Sequence, residues 1–311
     1  MPINGKRILV TGGAGFIGTN LVEAMASGNE VTVLDNMHTG KEENIKPLIS
    51  EYGVNLVKGS SGSAETAMKD PDIIFHLGMY SSAPMYKEHN EYLSEVVADA
   101  VKLFRYAAAK RIKVVFASTS SIYNGHKPPH RESMVPFVTD FYTEARIAVE
   151  RLAELYSKMH GLSAVGLRFM SVYGPHEESK GRYANLISQF LWDGIAGKEP
   201  VVYGDGSQER DFIYVKDIVS ALETAAQFSA AQYAVFNAGT GKSYSLNKMI
   251  ERLNAVAGLA IKPKYIKNPV ANYVQVTQAD TEKAEKELGF RARYGLDEGL
   301  KETFEYYSNI M

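Results

Sequence analysis

The segment Thr11-Gly12-Gly13-Ala14-Gly15-Phe16-Ile17-Gly18 follows the apolar run Ile8-Leu9-Val10, and the next apolar run, Val31-Thr32-Val33-Leu34, closes on Asp35. The first run reads as a buried strand, the glycines as a tight turn, and the stretch from Phe16 to Ser27 as a helix starting at that turn. Strand, turn, helix and parallel second strand make one crossover unit of a layered α/β sheet. Gly12 permits the turn, Gly15 leaves bare backbone for a close approach, and Gly18 lets the helix lie against the strand. The helix start offers unpaired N–H groups and partial positive charge, which suit phosphate. Asp35, roughly 20 residues on, is placed to accept hydrogen bonds from ribose hydroxyls. These features predict a dinucleotide site. A carboxylate there repels a 2′-phosphate and favours NAD over NADP.

Strands and helices keep alternating through the first half. Strands are expected at Arg7–Val10, Glu30–Leu34, Val54–Lys58, Ile73–His76, Val114–Ala117 and Ser163–Arg168, and helices at Phe16–Ser27, Tyr92–Lys110 and Tyr142–His160. The pattern predicts an α/β fold, a Rossmann-type doubly wound parallel sheet with a smaller, discontinuous C-terminal substrate domain. Past residue 170 the texture turns rich in Gly, Pro and Tyr, but Ile213–Phe228 and Val235–Gly239 look like sheet-domain elements returning. The expected division is therefore 1–169 with 213–243 for the dinucleotide, and 170–212 with 244–311 for the substrate. A chain of 311 residues accommodates both.

The bulk properties narrow the partners. A net charge of −2 gives no reason to expect nucleic acid or an anionic membrane. No apolar run approaches the roughly 20 residues that span a bilayer. The first strand begins almost at once, so no leader is expected and a cytoplasmic enzyme is the default. Without cysteine there are no disulfides or thiolate metal sites, and the seven histidines show no metal-type spacing, so no catalytic metal is expected.

Ligands of such sheets sit outside the carboxyl ends of the strands. Thr119 lies at one such end and Tyr142 opens a helix, with Arg146 on the same face at i+4. A tyrosine hydroxyl, ordinarily near pKa 10, needs a neighbouring positive charge to act as a base near neutrality. Thr119, Tyr142 and Arg146 are therefore candidates for acid/base chemistry.

With these residues in place, the chain resembles the extended short-chain dehydrogenase/reductases, in particular the NAD-dependent nucleotide-sugar epimerase/dehydratase family and its UDP-glucose 4-epimerase-like members. The matching segments are Thr11–Gly18, Leu34-Asp35-Asn36, Thr39-Gly40, Ala117–Tyr123, Leu167–Pro175, Tyr203–Asp217 and, in the tail, Ala279–Ala284 with Leu288-Gly289-Phe290. The resemblance implies that Gly12, Gly15, Phe16, Ile17 and Gly18 hold the NAD pyrophosphate, that Asp35 and Asn36 bind the adenosine ribose, and that Thr39 and Gly40 lie nearby. It implies Tyr142 as the base, with Thr119 and Arg146 beside it, in a C4 epimerisation through a transient 4-ketose. Tyr80, Ser81, Ser171, Asn185, Tyr203 and Arg210 are the residues expected to meet a nucleotide-sugar substrate. The helices Tyr92–Lys110 and Tyr142–His160 correspond to those that often pair in a family homodimer.

Several positions depart from the family pattern. Arg146 replaces the lysine of Tyr-x-x-x-Lys, and a guanidinium is bulkier and forked. Ser60 and Ser61 stand where an acid usually follows the third strand. The asparagine of the family's helix motif has no match near Glu95-Val96-Val97, Ser171 replaces another asparagine, and no Arg-Pro-Gly-Asp motif occurs around Asn268–Tyr273. Ser120-Ser121 occupies the stretch where dehydratases and decarboxylases carry an acid, which leans toward epimerisation. The alternatives are a dehydratase or reductase of the same fold, or a cofactor-binding protein whose hydride chemistry is impaired.

Overall fold

The computed structural model describes residues 3–269 and 273–311. Seven strands form its central sheet: β1 (Arg7–Thr11), β2 (Glu30–Asp35), β3 (Asn55–Lys58), β4 (Ile73–His76), β5 (Lys113–Thr119), β6 (Ala164–Phe169) and β7 (Tyr233–Ala238). They run in the order β7-β6-β5-β4-β1-β2-β3, and every pairing is parallel. The chain works outward from β1 to β3, then crosses back to β4. The order thus reverses between β1 and β4, and a crevice opens there at the strand ends.

The period of two along β1 explains why both faces are covered. Ile8 and Val10 pack with Leu21 and Val22 of the first helix and with Ile218 and Leu222, while Leu9 points the other way into a core with Ile74, Val114, Leu103 and Val149. The first helix spans Phe16–Met25 and tightens into a 3-10 turn at Ala26–Gly28, so the expected helix to Ser27 ends in a different geometry. The Phe141–His160 helix starts one residue earlier than expected, because the Asp140 side chain caps it by accepting from the Thr143 N–H at 2.9 Å.

The later chain does return to the sheet. Helix Val215–Gln227 buries Ile218, Ala221, Leu222 and Ala225 against it, and β7 pairs with β6. Ile213 and Tyr214, however, belong to a short strand that pairs with Ser171–Tyr173 outside the main sheet. A third core gathers Tyr173, Ile187, Leu191, Leu246, Met249, Leu253 and Leu300, and Phe16 joins it from the first helix. The tail behaves differently from its neighbours in sequence, since Ala279, Ala284, Leu288 and Phe290 pack into the core beneath the sheet. No described helix is long and apolar enough to cross a membrane.

Candidate active site

A cleft of about 430 Å³ opens at the switch between β1 and β4. At its floor Gly12 adopts a left-handed φ of +72°, and a Cβ there would lie 2.7 Å from the backbone of Gly78. A Cβ on Gly18 would lie 2.0 Å from the Gly12 carbonyl oxygen, so helix and strand touch backbone to backbone. Gly15 is different. Its Cβ would meet only the Gly12 oxygen, at 3.3 Å, and Gly15 faces the cleft at a helix start that no side chain caps. The backbone at Gly15 is thus left open to the cleft, as the close approach of a pyrophosphate requires.

Asp35 ends β2 in a buried position and accepts the N–H of Ala14 at 3.0 Å and of Met37 at 2.8 Å. Burial pushes its carboxyl up, and the N–H groups of Met37 and Ala14 pull it down. Each oxygen keeps a lone pair for a ribose hydroxyl. Asn36 and Thr39 line the cleft beside it. Gly40 does not; a Cβ there would lie 2.8 Å from both Asp35 oxygens, so Gly40 makes room for the carboxylate. The glycine turn, the uncapped helix and Asp35 together fit a dinucleotide such as NAD.

Thr119, Tyr142 and Arg146 line the same cleft. Thr119 ends β5, and its Oγ1 accepts the Ser121 N–H at 3.1 Å. Tyr142 is half-buried in the first turn of its helix, with its ring 5.6 Å from that of Tyr86. Arg146 is buried, with its guanidinium 4.8 Å from the centre of the Tyr142 ring, a cation–π contact across one helical turn. Its two terminal nitrogens donate to the Tyr86 hydroxyl at 3.2 Å and the Tyr80 carbonyl at 2.6 Å. The forked group thus meets both partners at once, and the Tyr86 hydroxyl in turn donates to the Tyr80 carbonyl at 3.3 Å.

His76 is fully buried where β4 ends. Its Nδ1 lies 2.9 Å from Thr11 Oγ1, which also accepts the Gly78 N–H at 3.0 Å. Burial, aided by the Arg146 charge, pushes its imidazole down to about 3, so it is neutral.

On the substrate side, Tyr80, Ser81, Ser171 and Asn185 line the cleft. Tyr80 stacks on Tyr92 at 3.5 Å and donates to Glu95 at 2.7 Å. Asn185 caps the helix Leu186–Ile195, and its N–H donates to Glu177, a buried carboxylate that also holds Lys180 at 2.8 Å. Tyr203 and Arg210 are not among the lining residues. Their side chains flank Tyr273, 6.4 Å from the Tyr203 ring and 5.3 Å from the Arg210 guanidinium. Within Asn268–Tyr273, the positions Val270, Ala271 and Asn272 lie outside the described residues. Sequence reasoning missed Glu95, Asp99, Glu177 and Lys180, all of which line the cleft. Only the i,i+3 spacing of Glu177 and Lys180 carried a signal.

The sequence model of the NAD dependent epimerase/dehydratase family matches residues 8–239. A solved UDP-N-acetylglucosamine 4-epimerase from Methanobrevibacter ruminantium, in complex with UDP-N-acetylmuramic acid, is 31% identical with a TM-score of 0.93, over 99% of this chain and 100% of that one. MoeE5, solved with UDP-glucuronic acid and NAD, is 32% identical with a TM-score of 0.86, over 98% and 100%. A UDP-N-acetyl-alpha-D-glucosaminuronate decarboxylase from Bacillus cytotoxicus is 28% identical over 98% of both chains.

Proposed function

This chain belongs to the NAD-dependent epimerase/dehydratase family, and from that premise we propose that it epimerises a nucleotide sugar, a UDP-hexose at C4. The observation that carries the reading is the convergence of Thr119, Tyr142 and the buried Arg146 on the cleft that also holds the glycine turn and Asp35. Held by the glycine turn and Asp35, NAD would supply a hydride acceptor and donor for the sugar carbon.

The protein's own part is positioning and proton transfer. Gly12, Gly15, Phe16, Ile17 and Gly18 seat the pyrophosphate, while Asp35, Asn36 and Thr39 take the ribose. Tyr142 removes the proton of the C4 hydroxyl and gives it back after the sugar turns over, and Thr119 hydrogen-bonds that same oxygen. Arg146 holds the Tyr142 ring and the Tyr80–Tyr86 wall in one geometry. Ser81, Ser171 and Asn185 face the substrate. Ser121 is half-buried where a dehydratase would carry an acid, and a serine hydroxyl is a poor proton donor to a leaving hydroxyl. Exposed Leu155 and Met159 on the Phe141–His160 helix support a homodimer built on that face.

Incubating the protein with UDP-glucose, UDP-galactose and their N-acetyl forms tests the reading. Interconversion of a C4 pair is the expected result. Accumulation of a 4-keto or decarboxylated product moves the assignment to the other enzymes of the family. NAD bound with no sugar nucleotide turned over leaves a binding protein, the outcome favoured by an Arg146 whose fork is already engaged.

A further inference from the structure

Beyond Asp35 the cleft continues along the carboxyl end of β3. There Gly59, Ser60 and Ser61 face Val96 and Asp99 of the Tyr92–Lys110 helix. The corner is continuous with the ribose site, because the Gly59 N–H donates to the Asp35 carbonyl at 2.9 Å. No carboxylate follows β3 in the chain itself. One is brought from 39 residues away: Asp99 accepts from the Ser60 hydroxyl at 3.2 Å. The contact is close-built, since a Cβ on Gly62 would lie 2.4 Å from Asp99 Oδ1. One turn earlier, the buried Val96 makes the cleft wall apolar at this corner.

We propose that Asp99, seated by Ser60, reads the base of the bound dinucleotide, its carboxylate accepting from the 6-amino group of adenine. A dinucleotide with its pyrophosphate on the glycine turn and its ribose on Asp35 extends its base toward this corner. Adenine presents an N–H donor at position 6. An ionised carboxylate has only acceptors, so it pairs with an amine and repels a carbonyl at that position. Ser60 spends its one O–H proton on Asp99, which fixes the carboxylate. Asp99 is thus a specificity residue of the cofactor site, supplied by a helix in place of the strand end. The inference rests on NAD occupying this cleft.

The test compares NAD with nicotinamide hypoxanthine dinucleotide, which carries a carbonyl oxygen where adenine has the amine. Both are titrated, in their reduced fluorescent forms, against nucleotide-free full-length protein and its Asp99→Asn variant. The wild type is expected to prefer the adenine form by about tenfold or more, the size of one charge-assisted hydrogen bond. Asp99→Asn supplies an amide that can donate to the carbonyl, and the preference falls below about threefold or inverts. Asp99→Thr, which removes the charge in a different shape, is expected to narrow the ratio as well, and melting temperatures without nucleotide identify any variant that fails to fold. Equal affinities in the wild type, or an unchanged ratio in folded variants, overturn the role of Asp99 and leave the cofactor reading intact. Binding of neither nucleotide to the wild type overturns both.

Discussion

Gly15 and Gly18 sit three residues apart in one turn, yet the structure gives them opposite jobs, and alanine at each separates them. At Gly18 the new Cβ would stand 2.0 Å from the Gly12 carbonyl oxygen and 2.6 Å from Gly13 Cα. Both neighbours are backbone, so the helix must lift off the strand. Overpacking typically costs about 1–3 kcal/mol where side chains yield, and here nothing soft is available, so about 3 kcal/mol or more is expected. In a chain of this size that is a fall in melting temperature of roughly 5 °C or more. At Gly15 the Cβ would meet only one oxygen, at 3.3 Å, and the residue's φ of −86° suits alanine. The lost unfolded-state entropy gains about 0.4–1 kcal/mol, and the poorer helix cap costs a similar amount, so stability changes by less than about 1 kcal/mol. The methyl group does, however, fill the space left for the pyrophosphate. NADH affinity should drop about tenfold or more, equivalent to about 1.4 kcal/mol. Scanning fluorimetry without nucleotide and fluorescence titration with NADH measure the two effects. Gly15→Ala binding NADH like the wild type, or melting as low as Gly18→Ala, would refute the assignment of that volume to a ligand.

Three further outcomes follow from the site. Tyr142→Phe should lower turnover by about 10²- to 10⁴-fold while leaving the NADH titration unchanged, because only the proton-carrying atom is removed; retained turnover excludes Tyr142 as the base. Arg146→Met removes both donors and the cation over the Tyr142 ring, so denaturant unfolding should show a loss of about 1–3 kcal/mol together with slower turnover, and an unchanged midpoint would contradict the bridging role. His76 has its folded-state pKa held at about 3, below the usual 6.5. The unfolded chain therefore gains a proton that the folded one refuses. Its contribution is complete above pH 6.5 and declines as pH falls from 6.5 toward 3, by about 1.4 kcal/mol per pH unit. His76→Asn should flatten the stability curve in that window, and an identical slope in the variant would show that other groups set it.

Much of the fold was readable because local and global signals agree. Ile8-Leu9-Val10 must be covered on both faces, the glycines admit one geometry of turn, and Asp35 falls where a parallel second strand ends. Tyr142 and Arg146 were readable as a pair because a helix brings i and i+4 together. What Arg146 does with its fork was not, since Tyr80 and Tyr86 are 60 or more residues away and reach it only through the loop after β4. Asp35 looked like a ligand group alone, whereas it also ties the glycine turn to the loop after β2. Gly40 looked like a neighbour of the cofactor and is a neighbour of Asp35 instead. The tail was grouped with the second lobe by its position in the chain, and the apolar spacing of Ala279, Ala284, Leu288 and Phe290 gives no hint of which core receives it. Tyr203 and Arg210 were drawn toward the substrate by resemblance, and the segment that carries Tyr273 runs beside them through a bridge between Glu209 and Val276 that no local pattern announces.

The meeting of Gly12 and Gly78 has a consequence for how this crevice can change. Its floor is the point where two main chains pass with no side chain between them. A single step to any larger residue at either position meets the opposite strand, and the first such step is penalised before a second could relieve it. Diversity among proteins of this architecture is therefore expected to accumulate on the walls, where Tyr80, Ser171 and Asn185 stand, while the two glycines remain as they are.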